Sequence, residues 1–148
     1  MSTIEVIAVP VVDLAAYGAN EAVGGLLTFA NAASAYRNHG KIVKCVIVND
    51  VGVADLLTLW LFDRTFTASV DQAAFDLTDA DMQNCLGSIK IVAADYVVGA
   101  DNAVASVDVD LDFVLVAGGT SLFGQLQCLG APDYAAADDL TVKLTIER

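Results

Sequence analysis

Basic side chains are scarce in this chain: 7 lysines and arginines stand against 19 aspartates and glutamates, for a formal charge of −12. A phosphate backbone needs a cationic surface to displace its counterions, so nucleic acid is excluded as an expected partner. An anionic membrane surface is disfavoured for the same reason. Histidine is nearly absent, with His39 alone in an Asn38-His39-Gly40 turn context. A lone histidine could serve as a general base, but nothing in sequence is placed to orient it, and a solvated turn residue is the plainer reading. Cysteine is limited to Cys45, Cys85 and Cys128. An odd number at wide spacing makes neither a disulfide framework nor a metal-binding pair, so buried free thiols are expected, and no zinc site or other cofactor.

Long apolar runs are missing too. The most apolar segment, Leu56 to Phe62, is bounded by Asp55 and Asp63 and falls far short of the roughly 20 residues that a membrane helix requires. It reads as a buried strand. The first basic residue is Arg37, and Glu5 interrupts the apolar start, so no secretory signal is expected and synthesis is assigned to the cytoplasm. Internal repeats and low-complexity tracts are not found.

What is abundant is apolar side chain. The hydrophobic fraction is 56% without glycine, where soluble domains reach roughly 45–50% with glycine counted. At 148 residues one domain spanning 1–148 is expected, and its interior is too small to hide that surplus. Contacts with other chains would absorb it.

Period-two alternation is the strongest local signal. Val107, Val109, Leu111 and Phe113 alternate with Asp108, Asp110 and Asp112, and Leu140, Val142, Leu144 and Ile146 alternate with Thr141, Lys143, Thr145 and Glu147. Both segments are strands with one wet face. Further strands are predicted at Ile4–Val12, Gly25–Ala30, Ile42–Val48, Leu56–Phe62, Ile89–Val98 and Leu122–Leu129, from branched and aromatic residues between turn-forming clusters. Pro10 lacks a donor, which places the first strand at an edge or bulge, with residues 1–22 a candidate arm or subunit contact. Thr78 with Asp79 and Asp81 predicts a capped helix to about Cys85. Asp71–Phe75 and Ala30–Tyr36 are helix-permissive. The fold class is all-β: a β-sandwich or jelly-roll-like domain of about eight strands with one or two short helical turns.

Candidate chemistry is thin. Asp108, Asp110 and Asp112 have the look of a calcium loop, but Phe113 stands where the turn glycine must be and Gly119 where the closing glutamate belongs. On a strand the three carboxylates share one face at roughly 7 Å spacing, where water, a basic partner surface or calcium could face them. Gly119–Gln125 is half a phosphate loop whose lysine position holds Gln125. Ser121 lacks the second glycine of a nucleophile elbow. Trp60 and Phe62 are read as core, and Phe66, just past a strand, as a candidate partner contact.

Several strings are similar to those of phage head decoration or capsid cement proteins. Gly24-Gly25-Leu26-Leu27-Thr28-Phe29-Ala30-Asn31-Ala32-Ala33 resembles their early strand. Leu61-Phe62-Asp63 with Thr67, Asp71, Ala73-Ala74-Phe75, Asp79, Asp81, Leu86-Gly87 and Ile89 resembles their middle block, and Asp139-Leu140-Thr141-Val142-Lys143-Leu144 their last strand. Phe66 departs from the pattern, where proline is expected. The resemblance carries no catalytic motif. It implies an all-β structural virion protein, often a homotrimer, bound to the major capsid protein on the capsid exterior. A tail or fibre-base protein, or a carbohydrate-binding adhesin, would share these features; a small calcium-using enzyme or sensor is the remaining alternative.

Overall fold

The computed structural model describes residues 2–148. Nine strands form two antiparallel sheets: β1 (Thr3–Ala8), β2 (Ala22–Phe29), β3 (His39–Asn49), β4 (Leu57–Phe62), β5 (Cys85–Ile91), β6 (Tyr96–Val98), β7 (Ala103–Val114), β8 (Leu122–Cys128) and β9 (Leu140–Glu147). The five-stranded sheet runs β1-β9-β3-β7-β6 and the four-stranded sheet β2-β8-β4-β5. With the three-residue β6 set aside, the pairing is nested: β1 with β9, β2 with β8, β3 with β7 and β4 with β5. A long antiparallel ribbon that pairs first with last and is then rolled up is a jelly roll. The fold class read from sequence is therefore observed, with nine strands where eight were expected.

The alternating residues explain the packing. Ile42, Cys45 and Ile47 of β3, and Leu140, Val142, Leu144 and Ile146 of β9, are buried against Leu57, Leu59 and Leu61 of β4 and Leu122 and Leu126 of β8. Burying a side chain of this size contributes about 1.5–3 kcal/mol, so this one core shared by both sheets dominates the stability.

The extra strand arises where the expected strand Ile89–Val98 divides. Val92 N–H donates to the Asp95 carboxylate at 2.9 Å and Asp95 N–H to the Val92 carbonyl at 3.0 Å. A 3-10 turn, Ala93–Asp95, results, and the chain passes from one sheet to the other. Ala93, Ala94 and Asp95 are poor strand formers, which lets the turn win over a continuous strand.

The first strand stops at Ala8, before Pro10, and β1 lies at the edge of its sheet. Pro10 packs instead against β2, where a Cβ added to Gly24 would lie 2.8 Å from the Pro10 Cβ. Gly24 has φ +74° and sits in the register shift between Val23 and Leu27, so close approach and left-handed backbone both demand glycine.

The helix forms as expected at its start but is shorter. In α1 (Asp79–Met82) the Thr78 hydroxyl accepts from the Asp81 N–H, and the chain must extend again by Cys85 to pair with Phe62. Neither helix-permissive stretch is helical. Asn31 and Gln72 adopt φ of 60° and 65°, which breaks each into turns.

Candidate interaction face

The two sheets treat their outer faces differently. Residues 63–84 strap across the outside of the four-stranded sheet, where Phe62, Phe66 and Leu77 form a second small core with Trp60, Phe75, Met82 and Phe123 around it. Gln125 fastens the strap. It is fully buried, its Nε2 donates to the carbonyls of Gly24 and Ser69 at 3.0 and 2.8 Å, and its Oε1 accepts from the Ser69 N–H at 3.0 Å. Trp60 stacks on Phe75 with ring centroids 5.5 Å apart, and its Nε1 donates to Gln127.

Asp71 ties the same strap to the N-terminal segment. Its Oδ1 accepts from the Tyr17 hydroxyl and the Gly24 N–H, both at 2.7 Å. Burial, and then the bond to Asp71, push the Tyr17 hydroxyl pKa upward, so it stays protonated as a donor.

The outside of the five-stranded sheet carries no such strap: every outward side chain on its strands is exposed or half-buried. Strand register arranges these side chains in rows. At one end Val97, Val104 and Val48 lie side by side across β6, β7 and β3, with Val97 at 79% exposure and Val104 at 40%. The next row holds Ser106, Val46, Lys143 and Ile7, and the one beyond it Asp108, Lys44, Thr145 and Glu5. The far end holds Asp112, Lys41, Glu147 and Thr3. The face thus grades from apolar to charged along β7.

Asp108, Asp110 and Asp112 do share this face, as their spacing implies. Lys41 lies opposite Asp112 in register but its ammonium pairs diagonally with Asp110, and the bond to Asp110 raises the Lys41 pKa. Among the described residues Asp108 and Asp112 make no ion pair. Nor do three histidine, cysteine, aspartate or glutamate side chains among the described residues converge on a point that could hold a metal ion.

Phe66 is corrected by the structure. Its ring is buried 4.1 Å from that of Phe62, because the strap folds it back onto the sheet rather than presenting it to solvent. Trp60 and Phe62, read as core, pack in this same cluster. Gln125, which breaks the phosphate-loop pattern, is the strap's fastening.

His39 opens β3 and lines a surface cavity of about 450 Å³ together with Arg37, Gly40, Lys41, Asp112, Glu147 and Arg148. This cavity borders the charged end of the open face. Beside it stands Tyr36, wholly exposed at the tip of a turn. Sequence reading missed both Tyr36 and Arg37; the signal available was an aromatic beside a cation in a loop, where core burial is not demanded.

Cys45 and Cys128 are buried free thiols, and burial pushes the Cys45 thiol up to about 12. Cys85 is half-buried. No helix among the described residues is long and apolar enough to cross a membrane.

No protein-family model and no curated protein matches the chain. Among solved structures it is similar to one of tomato aspermy virus determined by X-ray crystallography, with a TM-score of 0.39 and 12% identity over 99% of this chain and 75% of that one. A likeness that slight assigns neither fold nor role, and the jelly roll rests on the strand pairings alone.

Proposed function

We propose that this chain is a structural virion protein, a decoration or cement subunit that docks on the outside of a phage capsid through the open face of its five-stranded sheet and does no chemistry of its own. The observation that carries this reading is the unequal treatment of the two sheets. One outer face is covered over its middle strands β4 and β8 by a strap with its own small core, with Leu26, Thr28, Ser88 and Lys90 of its edge strands left exposed; the other has no strap and keeps Val97, Val104 and Ile7 in water. Exposed apolar side chains gathered on a face mark a surface that another protein covers.

The topology fits, since jelly rolls build virus shells as well as lectin domains. The sugar-binding alternative loses its best platform, because Trp60 is stacked under the strap on Phe75. The strings shared with head decoration proteins point to the same capsid role, and the major capsid protein is the partner they imply.

The mechanism is mass action. A subunit that binds the assembled shell but not its dissociated or collapsed state stabilises the shell, by about 2.7 kcal/mol per site at a hundredfold excess over Kd. Many sites per particle multiply a modest interface. Shells prepared without this protein are expected to take it up to a fixed stoichiometry and to disrupt at higher temperature afterwards. Shells that neither bind it nor gain heat resistance would rule the proposal out, and electron microscopy placing it on the tail would redirect it there.

A further inference from the structure

The open face says where a partner lies but not what orients it, and the turn at its border supplies that. Of the eleven aromatic side chains in the sequence, Tyr36 alone is exposed, at 100%; the other ten are buried or half-buried. The turn that carries it is held firmly. Arg37 N–H donates to both the carbonyl and the hydroxyl of Ser34 at 3.2 Å. On one side Ala32 and Ala33 are buried, with the Ala33 N–H on the Thr120 carbonyl at 3.1 Å. On the other, Asn38 Nδ2 donates to the Leu115 carbonyl at 2.7 Å. A tyrosine on a turn pinned at both ends loses little freedom on binding, which is what makes an aromatic an effective anchor.

Charge at the same corner is unlike that of the rest of the chain. Arg37, Lys41 and Arg148, three of only seven lysines and arginines, line the adjoining cavity together with the only histidine. Among the described residues neither Arg37 nor Arg148 makes an ion pair; Arg148 donates to the Asn31 carbonyl. Asp112 and Glu147 on the same wall make the cavity mixed in sign. It is therefore poorly suited to a free small anion and better suited to a protein surface that brings its carboxylates to the arginines.

We infer that the turn Ser34–Arg37 is a preformed anchor: Tyr36 inserts into an apolar depression on a different protein, and a carboxylate on the rim of that depression closes on Arg37. This rests on the docking reading above and adds to it the chemistry of the partner's seat. A second copy of the chain is the less suitable occupant, because each copy carries −12 and like charge opposes their approach.

The test is co-sedimentation with shells that lack the protein, using wild type, Y36A, Y36F and R37E, with a thermal melt of each. Because both side chains point into solvent, all four should melt alike. Y36A and R37E are expected to bind at least tenfold more weakly, and Y36F to keep most of the affinity, since the ring is the anchor. Undiminished binding by Y36A and R37E overturns the anchor and leaves the docking reading standing. Wild type failing to bind shells at all overturns both. A wild-type oligomer in light scattering that Y36A converts to a monomer also overturns the inference, by making a second copy the occupant.

Discussion

Gln125 and Ser69 face each other as one strand faces another: the side-chain amide of Gln125 donates to the Ser69 carbonyl and accepts from the Ser69 N–H, at 2.8 and 3.0 Å. A buried side chain here does the work of a missing strand partner. It holds the strap on the sheet at a place where backbone polar groups would otherwise be unsatisfied.

Gln125→Ala should therefore destabilise the protein by about 3 kcal/mol, since it leaves buried donors and acceptors without partners as well as a void. Denaturant unfolding measures the loss. Limited proteolysis should then cut first within residues 63–84. A variant as stable and as resistant as wild type would show that the strap is held by its aromatic contacts alone.

Asp55 predicts a pH effect. It is buried between β3 and β4, where Asn49 Nδ2 donates to its carboxylate at 2.8 Å. Burial raises its pKa above 3.8, against the lowering effects of the Tyr134 hydroxyl and then the Asn49 bond. Because the folded value lies above the unfolded one, ionised Asp55 opposes folding at neutral pH. That opposition is relieved as pH falls through the raised value, and relief is complete below the ordinary one. Wild type should thus gain stability relative to Asp55→Asn on acidification toward pH 3.8. Melting curves of both proteins from neutral to acid pH check the sign; a gap that is constant with pH would remove Asp55 as the cause.

Gly24→Ala combines left-handed strain with a Cβ placed 2.8 Å from that of Pro10. Strain alone costs about 1–2 kcal/mol, and the clash adds to it, so a drop in Tm is expected. Gly25→Ala next door, with open space around its Cβ, should leave Tm nearly unchanged. Equal effects at the two positions would contradict the close packing of the arm on β2.

Asparagine at positions 108, 110 and 112 together removes charge from the open face without removing volume. Stability should move little, because solvent screens an exposed ion pair such as Lys41–Asp110. Shell binding should weaken and lose most of its salt dependence if the partner presents cations there. Binding by the triple variant with unchanged affinity and salt response would confine the interface to the apolar rows.

The wet and dry faces of β7 and β9 were legible residue by residue, since alternation of Asp with Val or Leu reports the strand's own geometry. The cap at Thr78 was legible because the capping hydroxyl and the first-turn acids Asp79 and Asp81 are neighbours in sequence. The division of Ile89–Val98 was not, because branched residues on both sides of Ala93–Asp95 favour strand and the weak strand formers between them decide the break only once the Asp95 carboxylate closes on the Val92 N–H. Phe66 was misplaced because an aromatic beyond a strand end looks exposed until the chain folds back. Gln125 looked only like a failed lysine, and its partner Ser69 is 56 residues away.

By itself the sequence determined the class of fold, the inward and outward positions of the strands, the acidic character and the surplus of apolar side chains. These follow from spacing and composition, which neighbouring residues settle among themselves. Only the tertiary structure decided which sheet face carries the strap and which stays open, that Tyr36 is presented while Phe66 is hidden, and that the ribbon rolls into a jelly roll. Such choices depend on contacts between segments far apart in the chain, whose energies local alternation does not encode.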